Sequence, residues 1–74
     1  MEKEVKIKTE TIQLDQFLKW ANLVKSGGEA KNLIQAGKVM VNGEIEYSRG
    51  RQISPGDKVE FTEADDKYLV SSRD

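Results

Sequence analysis

The dipeptide Asn42-Gly43 constrains this chain more than any other part of it. A two-residue turn of type I′ needs φ > 0 at both central positions, and asparagine followed by glycine accepts this readily. Val39 and Val41 alternate on the approach, as residues of a half-buried strand do. Residues 38–41 and 44–47 are therefore expected to pair as an antiparallel hairpin. The segment before the hairpin reads as a helix over 27–36. Ser26 is an N-cap residue, and Glu29, three positions on, completes an S-x-x-E capping box. Ala30, Leu33, Ile34 and Gly37 share one face of that helix. Gly37 suits the left-handed residue that stops it.

A second stripe flanks the apolar face. Gly27, Lys31 and Gln35 lie about one turn apart, and Lys38 follows the stop. A helix that opens Ser26-Gly27-Gly28 presents N–H groups and the positive end of its dipole. A lysine on the adjoining face extends that into a site for anions, phosphate above all. The same spacing fits a capped surface helix with a solvated lysine, and taken alone it favours that plainer reading.

Seventy-four residues make one small domain with a thin core. The chain has no cysteine, hence no disulfide and no thiolate metal site, which fits a reducing cytoplasm. No apolar run approaches a membrane span. The net charge of −1 is uninformative, but its distribution is not. Residues 17–58 carry seven lysines and arginines against four acids, and the acidic excess sits in Glu60, Glu63, Asp65, Asp66 and Asp74. A basic centre permits a polyanion-binding face without bulk basicity.

The rest of the chain supplies a frame. Residues 1–4 are polar and expected to be mobile. Val5, Ile7 and Thr9 alternate with Lys6 and Lys8 as a short strand whose outer lysines discourage edge pairing. Residues 11–13 read as a connector. Residues 14–22 read as a first helix with Leu14, Phe17, Leu18 and Ala21 on its apolar face. Trp20 lies off that face; it fits either a base-stacking platform or, the favoured reading, a ring packed half-buried under a neighbouring strand. Arg49-Gly50-Arg51 is a polar loop that is either solvated or shaped to grip a phosphate. Ser54-Pro55-Gly56-Asp57 is a type II turn candidate. Val59 and Phe61 mark the next strand, residues 63–66 an acidic turn, 68–70 a last strand and 71–74 a frayed end. The elements sum to an α+β fold, two short helices packed on a small, twisted, mostly antiparallel sheet.

Catalytic chemistry finds no foothold here. Without histidine or cysteine the commonest acid–base, nucleophilic and zinc-binding groups are missing. Asp65-Asp66 reads as a pair of solvated turn acids. Gly27-Gly28 lacks the ending of a phosphate-binding loop. No enzyme, metal or cofactor is expected.

The stretch Ser26, Ala30, Leu33, Ile34, Gly37, Val39, Val41, Asn42, Gly43 resembles, in register, the RNA-binding domain of the ribosomal small-subunit protein S-four type. Lys31 stands where that family often has arginine, Gly27 replaces its usual arginine, and Gln13 replaces the arginine before its Leu14-Asp15 pair. Pro55-Gly56-Asp57 matches its turn before the last strand. The Gly27-Gly28 pair and the Arg49–Arg51 loop are most similar to small stand-alone bacterial members. The resemblance implies the alpha-L RNA-binding motif over residues 11–62, with 1–10 an N-terminal strand and tail and 63–74 a C-terminal strand and tail. It implies a non-enzymatic, cytoplasmic protein that holds structured RNA of the ribosomal or transfer class through its phosphates, with possible ribosome or ribonucleoprotein association. No membrane or small-molecule substrate is implied. The expected contacts are Ser26, Gly27, Gly28, Lys31, Gln35, Lys38, Asn42, Arg49 and Arg51. Lys31, Lys38, Arg49 and Arg51 are expected to converge around the start of the second helix. The alternative is a protein-interaction module or an accessory subunit of a ribonucleoprotein, with the basic residues merely solvated.

Overall fold

The computed structural model describes residues 2–72. In chain order the elements are β1 (Glu2–Ile7), β2 (Ile12–Gln13), α1 (Leu14–Trp20), α2 (Gly27–Gln35), β3 (Val39–Val41), β4 (Glu44–Ile45), β5 (Gln52–Ile53), β6 (Lys58–Phe61) and β7 (Lys67–Ser72). Five strands form one sheet in the order β1-β7-β6-β3-β4, and β2 pairs with β5 in a separate two-stranded ladder. Among the described residues only β1–β7 is parallel; the other pairs are antiparallel. The α+β architecture expected from the sequence is the one observed.

Alternation places the core. Val39 and Val41 on β3, Val59 on β6, Tyr68 and Val70 on β7 and Ile7 on β1 are buried together with Leu14, Phe17 and Leu18 of α1 and Ala30 and Ile34 of α2. Both helices thus cover one sheet face. The opposite face carries Met40, Glu60, Lys67 and Leu69, residues of the other parity.

The hairpin forms as its turn residues require, with Asn42 at φ 53° and Gly43 at φ 86°. The Asn42 amide also stitches the turn to the next strand. It accepts from the Lys58 N–H at 3.0 Å and donates to the Asp57 carboxylate at 3.1 Å. Pro55-Gly56 turns with Gly56 at φ 101° and an Asp57 N–H to Ser54 C=O bond of 3.0 Å, the geometry of a type II turn.

Helix ends explain where α1 and α2 stop. After α2, the Lys38 N–H bonds to the Leu33 carbonyl and the Gly37 N–H to the Ile34 carbonyl, with Gly37 at φ 76°. This is the Schellman pattern. The first helix ends the same way two residues earlier than expected. Asn22 takes the left-handed position at φ 64°, its N–H bonds to Lys19 C=O, and Leu23 N–H bonds to Leu18 C=O. Asparagine is the second choice after glycine for that conformation, and as a lone residue it gives a weak stop signal.

Other expectations need correction. Residues 2–4 are ordered in β1, because pairing with β7 uses backbone groups and asks nothing of the polar side chains. Thr9 falls outside that strand, which ends at Ile7. Ile12–Gln13 is strand rather than connector, paired with Gln52–Ile53. Strand β4 ends at Ile45, short of the expected residue 47, although the Glu46 N–H still bonds across the hairpin to the Val39 carbonyl. The last strand runs to Ser72 rather than fraying at 71. Met1 of the expected mobile tail and residues 73–74 of the expected frayed end lie outside the described residues.

Ser26 sits in extended backbone (φ −149°, ψ 163°), and its Oγ accepts the Glu29 N–H at 3.2 Å. Glu29 Oε1 accepts from the N–H of Lys25 at 2.7 Å, one residue before the one a capping box ordinarily reaches. Ser26→Ala should therefore lower stability by about 0.5–2 kcal/mol. A urea melt of that variant matching the wild type would show that the hydroxyl is not what caps the helix.

Candidate functional site

The helical layer and the loop that starts it bring the candidate residues into place. The first N–H groups of α1 get no side-chain cap from Gln13. They are satisfied instead from a distance along the chain: Leu14 N–H bonds to the Arg51 carbonyl at 2.8 Å and Asp15 N–H to the Arg49 carbonyl at 3.1 Å. Asp15 Oδ1 accepts the Gln16 N–H at 2.8 Å. The backbone of the 49–51 loop is thus fixed by the helix it caps, while both arginine side chains remain exposed. Arg51 binds Glu46 at 2.6 Å. That hydrogen bond, together with one from the Ser48 N–H, holds the Glu46 carboxyl below its usual range. Arg49 has no ion pair among the described residues.

At the other end of the layer, the N–H groups of Gly27 and Gly28 have no protein acceptor among the described residues. A Cβ on Gly27 would meet nothing within 4 Å. Ser26 uses its hydroxyl oxygen as the cap. Lys31 and Gln35 are exposed on α2, and Lys31 has no ion pair among the described residues. Lys38 pairs with Glu63 on the turn after β6. Asn42 has both ends of its amide engaged within the fold, by Lys58 and Asp57. Asp57 is pushed up by burial, but hydrogen bonds from Ser54 and Asn42 outweigh this and leave its carboxyl low.

The four cations do not gather around the start of α2. Lys38 follows the opposite end of that helix, about 13 Å away at 1.5 Å per residue over nine residues. The arginine loop sits at the start of α1, and Tyr47, close before it, lies against Gly37 at the end of α2. The candidates are strung along the helical layer because the hairpin returns the chain to the C-terminal end of α2.

Paired and unpaired cations occur on both sides of the fold: Arg51 beside α1 has Glu46, and Lys67 on the sheet has no ion pair among the described residues. Lys3 pairs with Asp66 at 3.8 Å and Lys58 with Glu2 at 3.2 Å, both among residues of the sheet and its turns. On the helical layer, Lys19, Lys25 and Lys31 have no carboxylate partner among the described residues. The two acids there, Asp15 and Glu29, are spent on backbone N–H groups. Lys19 and Lys25 were absent from the expected contacts; the position of Lys25 beside Ser26 is the sequence signal that points to it. Trp20 is a different case. Its ring is 47% exposed, but its indole N–H donates to the Lys6 carbonyl at 2.8 Å and the Lys8 ammonium lies 5.3 Å from the ring centroid. The ring braces the end of β1, so it lies against a strand as expected, but it stays exposed and outside the core cluster.

The sequence profile described as S4 domain matches residues 5–71, nearly everything from β1 to β7. The chain belongs to the S4 domain family. A probable ribosome maturation protein of Bacillus subtilis (strain 168), RlbA, is 45% identical to it over 61 residues, 82% of this chain and 86% of that protein. In three dimensions this S4 domain is similar to heat shock protein 15 of Vibrio cholerae, a trimeric structure. The match has a TM-score of 0.66 and 26% identity, covering 78% of this chain and 58% of the other. It is similar also to a pseudouridylate synthase, with a TM-score of 0.60 and 35% identity over 68% of this chain and 21% of the enzyme. The S4 domain here thus spans less than two thirds of either solved chain.

No group of three or more potential metal ligands occurs among the described residues of this S4 domain. No helix among them is long and apolar enough to cross a membrane. What the domain presents chemically is hydrogen-bond donors and fixed positive charge on the layer built from α1, α2 and the 49–51 loop.

Proposed function

We propose that this S4 domain binds structured RNA, of the ribosomal or transfer class, through phosphate contacts made by its helical layer, and that it does so without catalysis. The observation that carries this reading is the set of cations on the helical layer, Lys19, Lys25, Lys31 and Arg49, that are exposed and without carboxylate partners among the described residues. Lys25 and Lys31, near the open N–H groups at Gly27 and Gly28, suit phosphate oxygens as point charges, and Arg49, at the other end of the layer, is able to bind one in bidentate fashion. Similarity to a probable ribosome maturation protein supports a ribosomal partner and, with it, a cytoplasmic site of action. Gln35, Lys38 and Arg51 border the same layer and are proposed as supporting contacts. Ser26 and Asn42 are proposed to act through the backbone they position.

Salt tests the reading directly. Affinity for ribosomal RNA fragments, measured by filter retention, should fall log-linearly with salt, with a slope near 0.7–0.9 per phosphate contacted. Lys31→Ala should weaken all RNA sequences about equally and reduce that slope by about one. Retention that is indifferent to salt would instead favour a protein-interaction module whose basic residues are solvated.

A further inference from the structure

Tyr47 is 62% exposed, more than any other large hydrophobic side chain of the described residues. The fold makes little use of it for burial, yet it is held in place. A Cβ at Gly37 would stand 3.2 Å from its Cε1 and 3.4 Å from its hydroxyl oxygen, so the ring lies against the end of α2 and a larger residue there would push it outward by a few tenths of an ångström. Its chain neighbours are anchored too: Glu46 N–H bonds to the Val39 carbonyl at 3.0 Å and Ser48 N–H to the Glu46 carboxylate at 3.2 Å. No cation and no second ring lies on Tyr47 among the described residues. The other exposed aromatic, Trp20, has Lys8 over its ring and its N–H committed.

The surroundings fit a nucleotide. Arg51 neutralises Glu46, the acid adjacent to Tyr47. Arg49 lies two residues along the chain, within about 7 Å of extended backbone, and carries an unpaired guanidinium. We propose that Tyr47 is a stacking platform for an unpaired base of the bound RNA, with Arg49 holding a phosphate of the same strand. The proposal rests on the RNA-binding reading above and adds to it a preference for loops, bulges or ends over continuous duplex. A rigid aromatic ring stacks on any base, because every base has a π-face, and a duplex hides those faces.

Two RNAs of equal length serve as probes: a hairpin with an oligoadenylate loop, and a fully paired duplex. Tyr47→Phe should bind both as the wild type does. Tyr47→Leu and Tyr47→Ala should lose roughly 5- to 150-fold on the looped RNA, the equivalent of one stacked base, and less than about twofold on the duplex. Ring-proton resonances of Tyr47 in the wild type should move upfield on titration with oligoadenylate. Wild-type affinity of Tyr47→Leu for the looped RNA would overturn the platform, and so would equal losses on both RNAs. In either case, salt-dependent binding by the wild type would leave the RNA-binding reading intact. Failure of the wild type to hold either RNA would overturn both.

Discussion

Reversing two charges, Lys31→Glu together with Arg49→Glu, is expected to lower affinity for ribosomal RNA by on the order of a thousandfold. Each site loses a charge-assisted contact of about 1.5–3 kcal/mol and gains repulsion toward phosphate. The fold should hardly register the change. Both side chains are exposed, and neither has an ion pair among the described residues to break. The Arg49 group that caps α1 is its backbone carbonyl, which glutamate supplies equally well. Surface changes of this kind stay within about 0.5 kcal/mol per site. Lys67→Ala, on the sheet face away from the helices, is the matched control and should leave binding nearly unchanged. Filter retention beside a urea melt makes the comparison. RNA retention by a folded double variant at the wild-type level would move the assignment to protein interaction.

The largest expected loss of stability comes from Phe17→Ala. Phe17 on α1 is 0% exposed and belongs to the core cluster with Leu14, Leu18, Ile34, Val39, Val41, Val59 and Val70. Truncating a buried phenylalanine costs about 3–5 kcal/mol, the lost transfer energy plus a cavity that neighbours fill only in part. A domain of this length has a total stability of roughly 4–11 kcal/mol. The variant should therefore lose a large share of that stability, with the urea midpoint sharply lowered and little change in slope. A midpoint within about 0.5 M of the wild type would mean that the core is organised around other residues.

The sequence reveals this fold at most of the positions where single residues have to adopt unusual backbone, Asn22 being the exception. Asn42-Gly43, Gly37 and Gly56 each occupy φ > 0, and each stands out as punctuation from residue type alone. It conceals what depends on long-range pairing. Ile12–Gln13 and Gln52–Ile53 are two-residue strands, too short to show a period. The start of β1 is a run of exposed charged residues that only its backbone bonds to β7 reveal as strand. The candidate site divides in the same way. Lys31 and the arginine loop are legible as residue types, but which cations are free is decided by partners distant in sequence, as with Lys38 and Glu63. Tyr47 looks like an ordinary strand residue until the hairpin lays it on Gly37.

The parallel pairing of β1 with β7 has a kinetic consequence. Glu2 lies opposite Lys67, 65 positions along the chain, and β7 separates β1 from the rest of the sheet. The β3–β4 hairpin and the β3–β6 pair close much shorter loops, and closure entropy rises with loop length. β1 therefore has no strand to pair with until β7 forms, and that pairing closes the longest loop among the described strands. Local loop closure favours folding that begins with the central hairpin and ends with the pairing of β1 and β7.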